Sequence, residues 1–130
     1  MALNLPNVTS IKSRAFKNSG VTSVTLSSLT EMYDNYENGC FRDCTSLTTV
    51  DLSGSTITSM EGTFFNCTNL TSVILPNSLD IIGYNCFNNT KLSTIDLKNV
   101  TKLKSSAFKG SKLTTIDLSN ITDIQGYETF

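Results

Sequence analysis

Apolar positions recur along this chain with a period of about 22 residues. Phenylalanines fall at Phe16, Phe41, Phe64, Phe87, Phe108 and Phe130, with separations of 25, 23, 23, 21 and 22. The segments that follow them match: FKNSGVTSVTL, FRDCTSLTTVDL, FFNCTNLTSVIL, FNNTKLSTIDL and FKGSKLTTIDL. The segments that lead into them match as well, from LPNVTSIKSRAF to LKNVTKLKSSAF and LSNITDIQGYETF. Five copies in one register make an internal repeat.

Within the unit, L-T-x-V-x-L alternates apolar and polar positions and is rich in Thr, Val and Ile, the pattern of a half-buried strand. The return to the next Phe spaces its apolar residues three or four apart, as at Val100, Leu103 and Ala107, which predicts a helical turn or two. One short strand every ~22 residues cannot pair through hairpins, which need links of two to five residues. Each strand is therefore expected to pair in parallel with the next coil, building a right-handed solenoid. Its core is a set of columns. One column holds Leu3, Val24, Val50, Val73, Ile95 and Ile116, and the next holds Leu5, Leu26, Leu52, Leu75, Leu97 and Leu118. The residue before each Phe is always small (Ala15, Cys40, Thr63, Cys86, Ala107, Thr129), as close stacking of like slots requires. The whole chain, 1–130, reads as one repeat domain of five to six coils, with one irregular insertion within 29–39.

These units resemble the Bacteroides surface antigen-like (BspA-like) leucine-rich repeats, most clearly in FNCTNLTSVILPNSLDIIGYNCF, residues 65–87. The resemblance covers nearly the whole chain. It implies parallel strands on a concave face, a surface or secreted protein, and roles in adhesion and protein binding. The opening MALNLPNVTS has neither a basic region nor a continuous apolar core, so no signal peptide is expected there, and capping units are not evident.

Composition narrows the chemistry. With no histidine, Ser-His and Cys-His nucleophile pairs and His-containing zinc sites are excluded. The 10 basic residues against 11 acidic ones lack the positive excess that nucleic-acid binding needs. No apolar run approaches the roughly 20 residues of a membrane-spanning helix. Ser and Thr abound, but no base is placed to activate them, so neither enzymatic activity nor a cofactor is expected.

The four cysteines, Cys40, Cys44, Cys67 and Cys86, contain no C-x-x-C pair and sit in columns that elsewhere hold Ala, Ser or Thr, so they read as buried small side chains. Cys44 and Cys67 share a slot one coil apart, roughly 5 Å, a separation that permits a disulfide although parallel side chains make poor bridges. Free thiols are the expectation. Six N-x-[ST] triplets, at Asn7, Asn66, Asn69, Asn88, Asn99 and Asn120, read as by-products of a repeat built from Asn, Ser and Thr.

The outward strand positions are the expected binding surface. One stripe holds Ser23, Thr49, Ser72, Thr94 and Thr115; the central one holds Asn4, Thr25, Asp51, Ile74, Asp96 and Asp117; the third holds Pro6, Ser27, Ser53, Pro76, Lys98 and Ser119. The face is hydroxylated and mildly acidic, with one apolar knob at Ile74. Asp96 and Asp117 fall roughly 5 Å apart on neighbouring coils. A shared cation would reconcile their charges, but a solvated pair eased by Lys98 is the preferred reading, with no metal site. The insertion SSLTEMYDNYENGC adds Tyr33 and Tyr36 beside Glu31, Asp34 and Glu37, a candidate loop contact.

Lysines crowd the C-terminal third, at Lys91, Lys98, Lys102, Lys104, Lys109 and Lys112. They read as a solvated face that steers a partner at most. Met1 enters just before a strand and Phe130 closes on a consensus Phe, which leaves both ends uncapped. The sequence thus points to a non-catalytic module binding a protein or glycan, such as host extracellular matrix or cell surface, through the concave face. The alternative is a structural block that self-associates through uncapped ends. Neither reading calls for nucleic acid or membrane insertion.

Overall fold

The computed structural model describes every residue from Met1 to Phe130. Six coils, each closing on its consensus Phe, run 1–16, 17–41, 42–64, 65–87, 88–108 and 109–130. A first parallel sheet is formed by β1 (Ala2–Asn4), β3 (Ser23–Thr25), β5 (Thr49–Asp51) and β7 (Ser72–Ile74), one from each of the first four coils. The register pairs Leu3 with Val24, Val50 and Val73 in turn, and Asn4 with Thr25, Asp51 and Ile74. The β-branched residues favour the pleat, and pairing keeps each column on one face, since a one-residue slip would turn the apolar set outward.

The return path departs from expectation: the chain contains no helix. Each coil instead makes a second, two-residue strand. β2 (Ser10–Ile11) pairs with β4 (Glu31–Met32), and β6 (Ser59–Met60), β8 (Ile81–Ile82), β9 (Lys102–Leu103) and β10 (Asp123–Ile124) form a second parallel ladder. The spacing of Val100, Leu103 and Ala107 therefore reflects a turn, a strand and a turn, all three side chains being buried.

Backbone conformation explains why no helix forms. Two residues before the Phe, the chain is left-handed at Arg14, Gly62, Asn85, Ser106 and Glu128, with φ between 53° and 66°. Two residues after it, Asn18, Asp43, Asn66, Asn89 and Gly110 are left-handed as well, with φ between 58° and 69°. At Phe16, Phe64, Phe87 and Phe108 a left-handed residue on each side, and at Phe41 one after it, interrupts any α run, leaving linked turns such as Ala107 N–H to Lys104 O, Lys109 N–H to Ser106 O and Ser111 N–H to Phe108 O. Asn, Asp and Gly tolerate this region best, which accounts for their column after the Phe. Their side chains also bond coil to coil: Asn66 Nδ2 donates to Asp43 Oδ1 at 3.0 Å, and Asn89 Nδ2 to Asn66 Oδ1 at 2.7 Å.

The core is a single cluster of 26 buried side chains threaded through the coils. Its axis is the phenylalanine column, stacked from Phe16 to Phe130 with centroids 5.0–6.0 Å apart and ring planes within 14° of parallel. That separation exceeds the ~4.8 Å strand spacing by little, so the hydrogen-bonded coils themselves hold the rings in contact. No buried side-chain nitrogen or oxygen lacks a partner.

Candidate functional site

The stripes assigned to the binding face do not all lie on strands. Thr25, Thr49, Asp51, Ser72 and Ile74 sit on β3, β5 and β7, whereas Thr94, Asp96, Thr115 and Asp117 occupy irregular chain in coils 5 and 6. The ladder shows where it stops. Leu5, Leu26 and Leu52 donate N–H bonds of 2.9–3.0 Å to Thr25, Asp51 and Ile74. The next member of the series, Leu75 N–H to Asp96 O, does not form. The break falls where the coil shortens from 23 to 21 residues. A hollow of about 320 Å³ opens there, lined by Ser53, Ile74, Pro76, Asp96, Lys98 and Asn99. Ile74, 52% exposed, stands at its edge as the apolar knob of the face.

The aspartates of the central stripe close local turns. Asp51 Oδ1 accepts the Ser53 N–H at 2.9 Å, Asp96 Oδ1 the Lys98 N–H at 3.0 Å, and Asp117 Oδ1 the Ser119 N–H at 2.8 Å. The Ser119 bonds hold the Asp117 carboxyl below its ordinary range. No group of three or more metal-ligating side chains assembles anywhere in the chain. Lys98 was expected to ease the Asp96–Asp117 repulsion, but its ammonium pairs with neither carboxylate; its backbone N–H engages Asp96 instead.

The four cysteines are buried free thiols. Cys44 Sγ donates to Phe16 O at 2.9 Å and Cys67 Sγ to Phe41 O at 3.1 Å, each reaching the consensus Phe of the preceding repeat. Burial is the main force pushing the Cys40, Cys67 and Cys86 thiols far up, so they stay protonated and inert. Five of the six N-x-[ST] asparagines also have structural work. Asn66, Asn69 and Asn120 donate their amide nitrogens to the preceding coil, to Asp43, Thr45 O and Lys98 O; Asn99 donates to Asn77 and Asn88 to Asn85.

The insertion separates its two tyrosines. Tyr33 is engaged locally: its hydroxyl donates to Glu31 Oε2 at 2.9 Å and Lys12 Nζ lies 3.5 Å from its ring centroid. Tyr36 points the other way and shares a hollow of about 270 Å³ with Tyr84, Asn85, Ser105 and Ser106. The extra length also splits the second ladder, because β4 and β6 do not pair. A hollow of about 280 Å³ lies between them.

The loop is pinned by Asp34, which the sequence presents merely as one of three carboxylates. Its Oδ1 accepts the Cys40 N–H at 2.7 Å and its Oδ2 the Thr63 hydroxyl at 2.5 Å. Burial, the dominant effect, still raises its pKa above the ordinary 3.8, against the bonds from Cys40 and Thr63. Between 3.8 and that raised value the native state keeps a proton the unfolded chain has released. Stability should therefore fall as pH rises through that window and level off above it. Asp34→Asn removes the titration, so its stability relative to the parent should improve as pH is raised from about 4. Parallel pH profiles for the two proteins in urea unfolding would refute the assignment.

The repeat geometry has counterparts. The profile of the BspA type leucine rich repeat region matches six copies across residues 9–130. In fold, the chain is similar to a leucine-rich repeat protein from Eubacterium ventriosum ATCC 27560 of known crystal structure, with a TM-score of 0.57 and 22% identity. The match covers 88% of this chain and 44% of the other, so this chain spans less than half the length of that protein. No curated protein matches. Six copies of one repeat, stacked on a single phenylalanine column, place this chain in the BspA-type leucine-rich repeat family.

Proposed function

We propose that this chain is a non-catalytic binding module of a cell-surface or secreted protein, which holds a protein or glycan ligand against the face of the first sheet. The observation that carries this reading is the hollow beside Ile74. There an exposed aliphatic side chain, the buried Pro76, and the oppositely charged residues Asp96 and Lys98 line one cavity of about 320 Å³. An apolar anchor beside charges of both signs is the composition of a recognition site. Membership of a repeat family whose members are commonly surface proteins supports the setting. Buried, protonated thiols and the absence of histidine support a role without chemistry.

The test is binding to immobilised extracellular-matrix proteins and to a printed glycan array, with the parent and Ile74→Arg compared on every ligand retained. Because Ile74 is an exposed position, the arginine should leave the fold intact by circular dichroism. It should weaken binding at least tenfold by filling the hollow with a charge. Unchanged affinity would remove this face from the function.

A further inference from the structure

The first-sheet face leaves the insertion unexplained. Stacking does not require it, since four other coils close in 21–23 residues, yet the structure holds it firmly. Asp34 bonds Cys40 and Thr63; Asn35 Oδ1 accepts the N–H groups of Glu37 and Asn38 at 3.0 and 2.9 Å; Arg42 Nη1 donates to Tyr36 O at 3.3 Å. Coil 3 makes room for the crossing with Gly62, where a Cβ would press against the Asn35 carbonyl and lie 3.1 Å from Tyr36 Cα. All this bracing presents one tyrosine, Tyr36, that remains 52% exposed. An aromatic side chain carried half in water on a braced loop is arranged for contact, because the ordering entropy of the backbone beneath it is already spent.

Across the hollow stands Tyr84, 37% exposed, from the turn of coil 4. Asn85, Ser105 and Ser106 line the space with the two rings. Ser105 is braced in turn, since its hydroxyl accepts the Tyr127 N–H at 3.0 Å. The lining thus offers aromatic faces together with hydroxyl and amide groups, and it carries no charged side chain. Two cations stand beside it and both are engaged: Lys104 Nζ lies over the Tyr84 ring, 5.0 Å from its centroid, and Arg42 donates to Tyr36 O. Glu37 beside the Tyr36 hydroxyl opposes an anion.

We propose that this tyrosine hollow is a second binding site, separate from the first-sheet face, and that it takes a pyranose ring of a neutral oligosaccharide. A pyranose carries an apolar C–H face and a rim of hydroxyls. The face packs on a tyrosine ring, and the rim pairs with Ser105, Ser106 and Asn85. An aliphatic ligand would leave those polar groups unpaired, at a cost in affinity. A charged ligand would find no ion-pair partner in the lining itself, because Lys104 is engaged over Tyr84 and Glu37 at the Tyr36 hydroxyl. A proline-rich peptide uses a groove lined by aromatic residues along several turns, and a single hollow of about 270 Å³ has room for only one such contact.

The experiment titrates the intact chain with cellohexaose, chitohexaose, mannohexaose and a proline-rich decapeptide, followed by tyrosine fluorescence and amide chemical shifts. At least one oligosaccharide should bind, with shifts centred on Asn85, Ser105 and Ser106. Tyr36→Ala and Tyr84→Ala should each weaken it at least tenfold while unfolding as the parent does. Tyr33→Ala and Ile74→Arg, both outside the hollow, should bind as the parent, which separates this site from the first-sheet face. Tyr36→Phe keeps the ring and should retain most of the affinity, guarding against a loop that fails to form without an aromatic. No binding by any of the three sugars overturns the proposal, as does binding that survives both alanine variants. Tyrosine-dependent binding of the peptide in place of the sugars overturns it equally.

Discussion

Replacing Phe64 by alanine is expected to destabilise the chain by about 3–5 kcal/mol, the cost of emptying a fully packed aromatic site. Phe64 is completely buried and stacks on Phe41 at 5.6 Å and Phe87 at 5.5 Å, so its loss unpairs two aromatic contacts at once. The cavity has no easy way to close. Phe41 N–H to Thr63 O at 3.0 Å and Phe64 N–H to Cys86 O at 2.9 Å fix the coil spacing on both sides of the gap. The position adds a second effect. A solenoid is stabilised by contacts between neighbours, and weakening its middle coil lets the two halves unfold separately. Urea unfolding followed by two probes should therefore show both a lower midpoint and loss of coincidence. Phe130, 53% exposed, belongs to the same column with a ring neighbour on one side only, and its alanine variant should cost about 1–2 kcal/mol. Equal costs at Phe64 and Phe130 would mean that the column is not the axis of the fold.

Gly39→Ala should cost about 3 kcal/mol, at the upper end for overpacking, although it adds one methyl group. A Cβ there would collide with the Gly62 carbonyl oxygen, and would lie 2.5 Å from Gly62 C and 2.9 Å from Thr63 N. Every one of these atoms is backbone, and that backbone is tied on both sides. Gly62 N–H bonds Tyr84 O at 2.8 Å and Thr63 O accepts from Phe41 at 3.0 Å. Coils 2 and 3 would have to separate, carrying the insertion and Tyr36 with them. Gly20 is the control. A Cβ there meets nothing within 4 Å, so Gly20→Ala should be neutral or stabilise by about 0.4–1 kcal/mol through the unfolded chain. Thermal unfolding of the two variants side by side decides it: similar midpoints would show that the close approach at Gly39 has no energetic weight.

Both predictions draw on the coil-to-coil register, and that register was readable in the residues. Val24, Val50 and Val73 align as the L-T-x-V-x-L motif requires, and all six phenylalanines form one stack. The return is not helical as the spacing predicts, because a spacing of three or four fits equally a turn, a two-residue strand and another turn. The residues that decide between them are Asn18, Asp43, Asn66, Asn89 and Gly110, whose shared property is tolerance of a left-handed backbone rather than hydropathy. An Asn-Asp-Gly column two places after the Phe was a signal that hydrophobic periodicity does not register.

The face and its site were only half legible. Strand alternation makes Ile74, Asp96 and Lys98 outward positions, and the structure gathers them around one hollow. That the ladder stops between them is a matter of how a 23-residue coil and a 21-residue coil pack, which no single unit encodes. Tyr33 and Tyr36 lie three places apart in the chain yet face different neighbours, and Tyr84 joined the picture only when the insertion crossed Gly62 to meet it. Asp34, one of three carboxylates in the insertion, is the half-buried pin of that crossing. By itself, then, the sequence determined the repeat, the columns and the parallel stacking, because those follow from local pattern applied identically in each coil. Tertiary structure alone decided where the ladder opens and which aromatic side chains meet, because both depend on distances between coils of unequal length.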